Sequence, residues 1–151
     1  SGKKERPSPN ASISQTIGTT VVSVTYGRPG LKGRDIQSLL PAGKVWRTGA
    51  NESTAITFSS DVKVGDKAIK AGTYSLYTIP GEYEMTIIIN SKMSWGTQYD
   101  EAQDVARTNV PVNGGDFVEW LTIEFDSLSG SKANMNIRWG DYWVAVPIEA
   151  Q

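Results

Sequence analysis

The feature that most constrains this chain is its two-residue alternation of apolar and polar side chains, broken by glycine, proline and aspartate turns about every ten residues. Such a period places successive side chains on opposite faces of a strand. Ile13, Gln15 and Ile17 share one face, and beyond a Gly18-Thr19 turn Val22, Val24 and Tyr26 do the same, which predicts an opening hairpin. Ile56 and Phe58 mark a further strand, and residues 62–69 read as a tight hairpin turning at Gly65-Asp66. Residues 74–79 pair across Pro80-Gly81 with 84–90, where Met85, Ile87 and Ile89 face one side and Ile88 the other. A strand apolar on both sides belongs in the middle of a sheet, covered on both faces. Three more strands are expected at 117–125, 133–139 and 142–148, the last two joined by a short Gly140-Asp141 connection.

Helix signals are few. Residues 35–40 carry Asp35 as N-cap and Pro41 as stop, and residues 99–107 carry a start at Asp100 with Glu101 and Asp104 near the positive end of the dipole. No internal repeat is present. The expectation is therefore all-β: a single antiparallel β-sandwich, jelly-roll-like or Ig-like, of about nine or ten strands with one or two short helical turns. It spans residues 11–151 and is preceded by a flexible, charged lead-in over 1–10 that contains Pro7 and Pro9 and begins with Ser1-Gly2, which reads as a remnant of expression engineering.

Composition then narrows the chemistry. Among 151 residues there is no histidine and no cysteine. That excludes a Ser-His-Asp triad, a thiolate nucleophile, a disulfide and a zinc centre of nitrogen and sulfur ligands. Any catalysis would rest on carboxylate, Lys, Tyr, Ser or Thr. Fifteen Lys and Arg against sixteen Asp and Glu give a net charge of -1, without the basic stripe that nucleic-acid binding needs. No apolar run approaches the roughly 20 residues that span a bilayer as a helix, so no transmembrane segment is expected.

Three segments concentrate the polar groups. Gly27-Arg28-Pro29-Gly30-Leu31-Lys32-Gly33-Arg34 holds three cations and three glycines in eight residues. Glycines let a loop turn its N–H groups toward one point, making an anion nest edged by Arg28, Lys32 and Arg34; the rival reading is a long loop with solvated charges. It is not a P-loop, because GxxxxGK[ST] is absent. In Trp46-Arg47-Thr48-Gly49-Ala50-Asn51-Glu52-Ser53-Thr54, seven of nine side chains can hydrogen-bond. Arg47, Asn51 and Glu52 suit a carboxylate or a polyhydroxylated ligand, or else form a structural corner with Asn51 left-handed and Trp46 in the core. The third segment, residues 95–107, offers Asp100, Glu101 and Asp104 either as oxygen ligands of a hard cation or as helix-capping groups with an Asp104–Arg107 pair. Its spacing fits no EF-hand, so no metal and no cofactor is assigned. Trp139 alternates with core positions, whereas Trp95 in a loop is the aromatic placed to meet a ligand.

The stretches SPNASISQTIG, VTYGRPGLKGRDI, VWRTGANESTAITF, VKVGDKAIKAGTYSLYTIPG and WGTQYDEAQDVAR together resemble the bacterial family known as domain of unknown function 2911, over residues 8–148. The resemblance implies precursors with an N-terminal signal sequence, hence an exported, periplasmic or cell-envelope protein of Bacteroidetes type. It implies no activity. Family members often carry Trp-Glu where this chain has Trp139-Gly140.

The functional expectation is a non-enzymatic module for a small polar ligand, anionic or carbohydrate-like, lined by Arg28, Lys32, Arg34, Arg47, Asn51 and Glu52 with Trp95 and Tyr99 as walls. Two alternatives stand beside it: a hydrolase or lyase using Glu52 or Asp100 as general acid–base, and a cell-envelope interaction module.

Overall fold

Nine strands form in the computed structural model, which describes residues 6–93 and 98–151. They are β1 (Asn10–Ile17), β2 (Thr20–Gly27), β3 (Ala50–Phe58), β4 (Val62–Val64), β5 (Lys67–Ile69), β6 (Gly72–Ile79), β7 (Glu84–Asn90), β8 (Asp104–Ser129) and β9 (Lys132–Ala150). All pairings are antiparallel, in the order β1-β2-β3-β6-β7-β8-β9-β4-β5. The class is all-β, as the alternation predicts. The strands follow one another in a single hydrogen-bonded order, and β8 belongs to two sections of it. Its first part pairs with β7 from Asp104 to Pro111, and its remainder pairs with β9.

Two sequence expectations change here. The helix expected at 99–107 is only a 3-10 turn, Glu101–Gln103, and the chain is strand from Asp104 onward. The reason lies in β7: its edge needs a ladder partner, and a helix would leave those buried amides and carbonyls unpaired. Residues 104–111 supply that partner. The second change joins 133–139 and 142–148 into one strand, β9, as 117–125 is absorbed into β8. Gly140 is not a hairpin turn but a bend within the strand, left-handed at φ 60°. The register skips on either side of the Val118↔Gly140 pair. A side chain at 140 would also meet Ile36 of the short helix α1 (Ile36–Leu39), whose Cβ lies 3.0 Å from the position a Cβ would take.

Alternate residues of the strands point into one contiguous cluster that includes Val22, Val24, Ile56, Phe58, Met85, Ile87, Ile89, Leu121, Ile123, Ile137, Val144 and Val146. Burying each such side chain stabilises the fold by about 1.5–3 kcal/mol. Ile88 and its cross-strand neighbour Tyr77 are buried on the opposite face, where Tyr99 lies with its ring centroid 4.8 Å from that of Tyr77. β7 is thus covered on both sides.

Beyond β2 the chain continues as an extended segment that reaches β8. Leu31 N–H donates to the Glu119 carbonyl and Leu121 N–H to the Pro29 carbonyl, both at 3.0 Å, around a Gly30↔Trp120 bridge. Ile123 N–H donates to the Tyr26 hydroxyl at 2.8 Å. The expected lead-in makes contacts of its own over its described part: Pro9 O accepts from Arg28 N–H, Ser8 O from Asn51 Nδ2, and Arg6 pairs with Glu52.

Candidate functional site

The Gly-Arg segment is shaped by the bridge to β8. Lys32 is left-handed, φ 52°, and its N–H donates to Glu119 Oε2 at 2.8 Å. The anion that this backbone turn holds is therefore one of the protein's own carboxylates. Arg28 reaches across to β8, giving Nε to the Leu121 carbonyl at 2.7 Å and Nη2 to Thr122 Oγ1 at 2.9 Å. Arg34 folds back on its loop: Nε donates to Leu31 O and Nη2 to Gly30 O.

The second segment is a corner between β3 and a bridge from Trp46 to Thr78 of β6. Asn51 is left-handed, φ 69°, as its side chain tolerates better than most. Thr48 is left-handed as well, with its carbonyl held by Thr54 Oγ1 at 2.8 Å. Arg47 donates Nε to Gly49 O at 3.2 Å and Nη1 to Asn51 O at 3.5 Å.

Between these loops lies an open cleft of about 630 Å³. Lys32 and Arg34 line it from one loop and Arg47 from the other, with the Trp46 and Trp139 rings at its base. The two indoles stack, centroids 6.0 Å apart and planes 7° from parallel. Arg34 spends Nε and Nη2 on carbonyls of its own loop, and Arg47 gives Nε to Gly49 O with Nη1 3.5 Å from Asn51 O at the start of β3, so both guanidiniums are oriented by backbone carbonyls. Arg34 Nη1, Arg47 Nη2 and the Lys32 ammonium make no hydrogen bond among the described residues. Among the described residues, no acidic side chain lines the cleft. Three positive charges with their loops already ordered favour an anion, because the entropy of positioning them is not lost again on binding.

Of the expected site residues, Lys32, Arg34 and Arg47 line this cleft together. Arg28 and Asn51 stand behind its walls as braces. Glu52 turns away: it is half exposed, pairs with Arg6 at 3.2 Å, and that partner holds its carboxyl below the usual range. Trp95 lies outside the described residues.

Tyr99 belongs to a separate network. Its hydroxyl lies 2.8 Å from both Asp104 oxygens, Arg107 Nη2 donates to it at 2.8 Å, and Arg107 Nε donates to Asp104 Oδ2 at 2.8 Å. Asn90 Nδ2 donates to Asp104 Oδ1. Burial, with the Asp104 contact, pushes the Tyr99 phenol above its ordinary value. The pairing depends on the register shift at Asn90↔Asp104: one extra residue, Val105, puts Asp104 on the same face as Arg107. Asp100 caps the turn by accepting from Ala102 N–H, and Glu101 pairs with Arg107. The three carboxylates named from sequence are thus engaged by protein donors, and among the described residues no group of three acidic side chains is placed to hold a metal ion.

Sequence reasoning missed two parts of the cleft. Pro7 and Ser8 of the lead-in form part of its wall, and Trp139 shares the core and the cleft base. Trp46 and Trp139 are 93 positions apart, so no local pattern joins them.

Fold and site define an all-β protein with a cation-lined cleft between two loops. The chain belongs to the family described as protein of unknown function, DUF2911, whose model matches residues 8–148. No curated protein and no solved structure matches it.

Proposed function

We propose that the protein is a binding module whose cleft takes a small anionic, ring-bearing ligand of carbohydrate type. The observation that carries this is the convergence of Lys32, Arg34 and Arg47 on one concavity beside the stacked Trp46 and Trp139, with each guanidinium pinned by loop carbonyls. Charge selects the ligand's acid group, and the partly exposed Trp46 indole, backed by the buried Trp139, suits the flat apolar face of a sugar ring. Catalysis by Glu52 or Asp100 draws no support from their positions: one is tied to Arg6 at the surface and the other caps a turn. An exported location, implied by the family, is proposed with this reading; fractionation of cells expressing the full-length gene tests it.

Titration calorimetry with D-glucuronate and D-glucose tests the binding. The acid is expected to bind at least about tenfold more tightly than the neutral sugar, and Lys32→Ala to weaken it about tenfold at unchanged melting temperature. Arg47→Ala is expected to do the same with some loss of stability, since Arg47 also holds Gly49 O. Equal binding of both sugars, or of neither, would overturn the reading.

A further inference from the structure

A second concavity, of about 350 Å³, lies on the β8–β9 ribbon and carries the opposite charge. It is lined by Gly115, Asp116, Glu124, Asp126, Asn136, Arg138 and Trp143, and so lies at the small end of the range for ligand sites, about 300–1,000 Å³.

Its construction follows from the bend in β9. Seven residues of straight strand would separate Asn136 from Trp143 by about 23 Å. The left-handed Gly140 between them turns the ribbon back, and Trp143 Nε1–H donates to Asn136 Oδ1 at 3.0 Å. The indole has only a donor, so this bond fixes the amide with its oxygen toward Trp143. Asn136 is 1 % exposed, yet its Nδ2 has no acceptor among the described residues and the side chain lines the concavity. The amide nitrogen is not sealed from solvent, so it offers its donor at the surface of the concavity, where a ligand acceptor can take the place of water.

The charges point the same way. Arg138 is occupied, giving Nη1 to Glu124 Oε1 at 3.3 Å and Nη2 to the Asp116 carbonyl at 3.1 Å. The Asp116 and Asp126 carboxylates enter no ion pair among the described residues. Two uncompensated acids, an indole and an amide donor ask for a cation that also carries a hydrogen-bond acceptor. Gly115 adds room: a Cβ there would lie 3.5 Å from Trp143 Cε3, so glycine leaves that part of the indole uncovered.

From these observations we infer a second ligand site at Asn136, Trp143, Asp116 and Asp126 for a small hydroxylated ammonium, an amino sugar in its protonated form. The ammonium sits against the two aspartates and the indole, and a ring hydroxyl or ring oxygen accepts from Asn136 Nδ2. The site is independent of the cation-lined cleft, which would repel such a ligand.

The test is a nitrogen-15 NMR titration of the intact protein below neutral pH with D-glucosamine, D-glucose and N-acetyl-D-glucosamine. Glucosamine is expected to shift the Asn136 side-chain amide and the Trp143 indole N–H, and to bind about tenfold more tightly than either uncharged sugar. Asp126→Asn, at an exposed position, is expected to weaken glucosamine about tenfold, and Lys32→Ala to leave it unchanged. Because Trp143→Ala removes packing and the bond to Asn136 along with the indole, Gly115→Val is the second variant: its side chain covers the indole without altering charge and is expected to abolish the shifts. Equal shifts from glucose and glucosamine, no shift at Asn136 and Trp143, or full binding by Asp126→Asn would overturn the inference.

Discussion

At the scale of single residues, most charged side chains singled out in the sequence turn out to be bonded to the backbone or to one another. Arg28, Arg34 and Arg47 all donate to loop or strand carbonyls, and what separates them is where their remaining donors lie. Tyr99 carries the densest network. Tyr99→Phe removes the hydroxyl between Asp104 and Arg107 and is expected to cost about 1–2 kcal/mol in urea denaturation, with an unchanged slope. Glu52 gives a titration test. Its carboxyl is held low first by the Arg6 hydrogen bond, so its NMR-detected midpoint is expected below the ordinary glutamate value, and Arg6→Ala should raise it. The sign follows from the lowered folded-state value: the contribution to stability is present above the unfolded carboxyl's pKa and is lost as pH falls through the folded one. A midpoint unmoved by Arg6→Ala would remove the pair from solution.

At the scale of elements, the two long strands depend on local departures from regular pairing. The alternation made β2 and β7 legible because Val22, Val24 and Tyr26, and Met85, Ile87 and Ile89, recur at every second position. It failed at residues 99–107, where acidic first-turn residues imitate a helix start but the open edge of β7 demands a strand. It also failed at Gly140, since glycine beside aspartate reads equally as a turn or as a bend. Gly140→Ala is the direct test of the bend. It places a side chain at φ 60° and against Ile36, and is expected to destabilise by about 1–3 kcal/mol in thermal or denaturant unfolding. A neutral effect would mean that the strand does not bend there.

At the scale of the whole molecule, the segment after β2 ties the first hairpin to β8 and thereby forms one wall of the cleft. Arg28→Ala removes bonds to Leu121 and Thr122 and is expected to cost about 1–3 kcal/mol, with glucuronate affinity changed less than about twofold. Hydrogen exchange provides the check: the Leu31 and Leu121 amides, which form the bridge, should exchange only through global unfolding in the parent and faster in the variant. Sequence alone determined the all-β class, most strand positions, the absence of histidine and cysteine chemistry, and the family, because a two-residue period and residue identity are local properties. It placed Lys32, Arg34 and Arg47 among the candidates for the same reason. Tertiary structure decided which of them meet. Trp139 reaches Trp46, the lead-in walls the cleft, Glu52 faces Arg6, and Trp143 returns to Asn136 only because strands far apart in sequence pair and bend. Loop residues carry no period from which such meetings could be read.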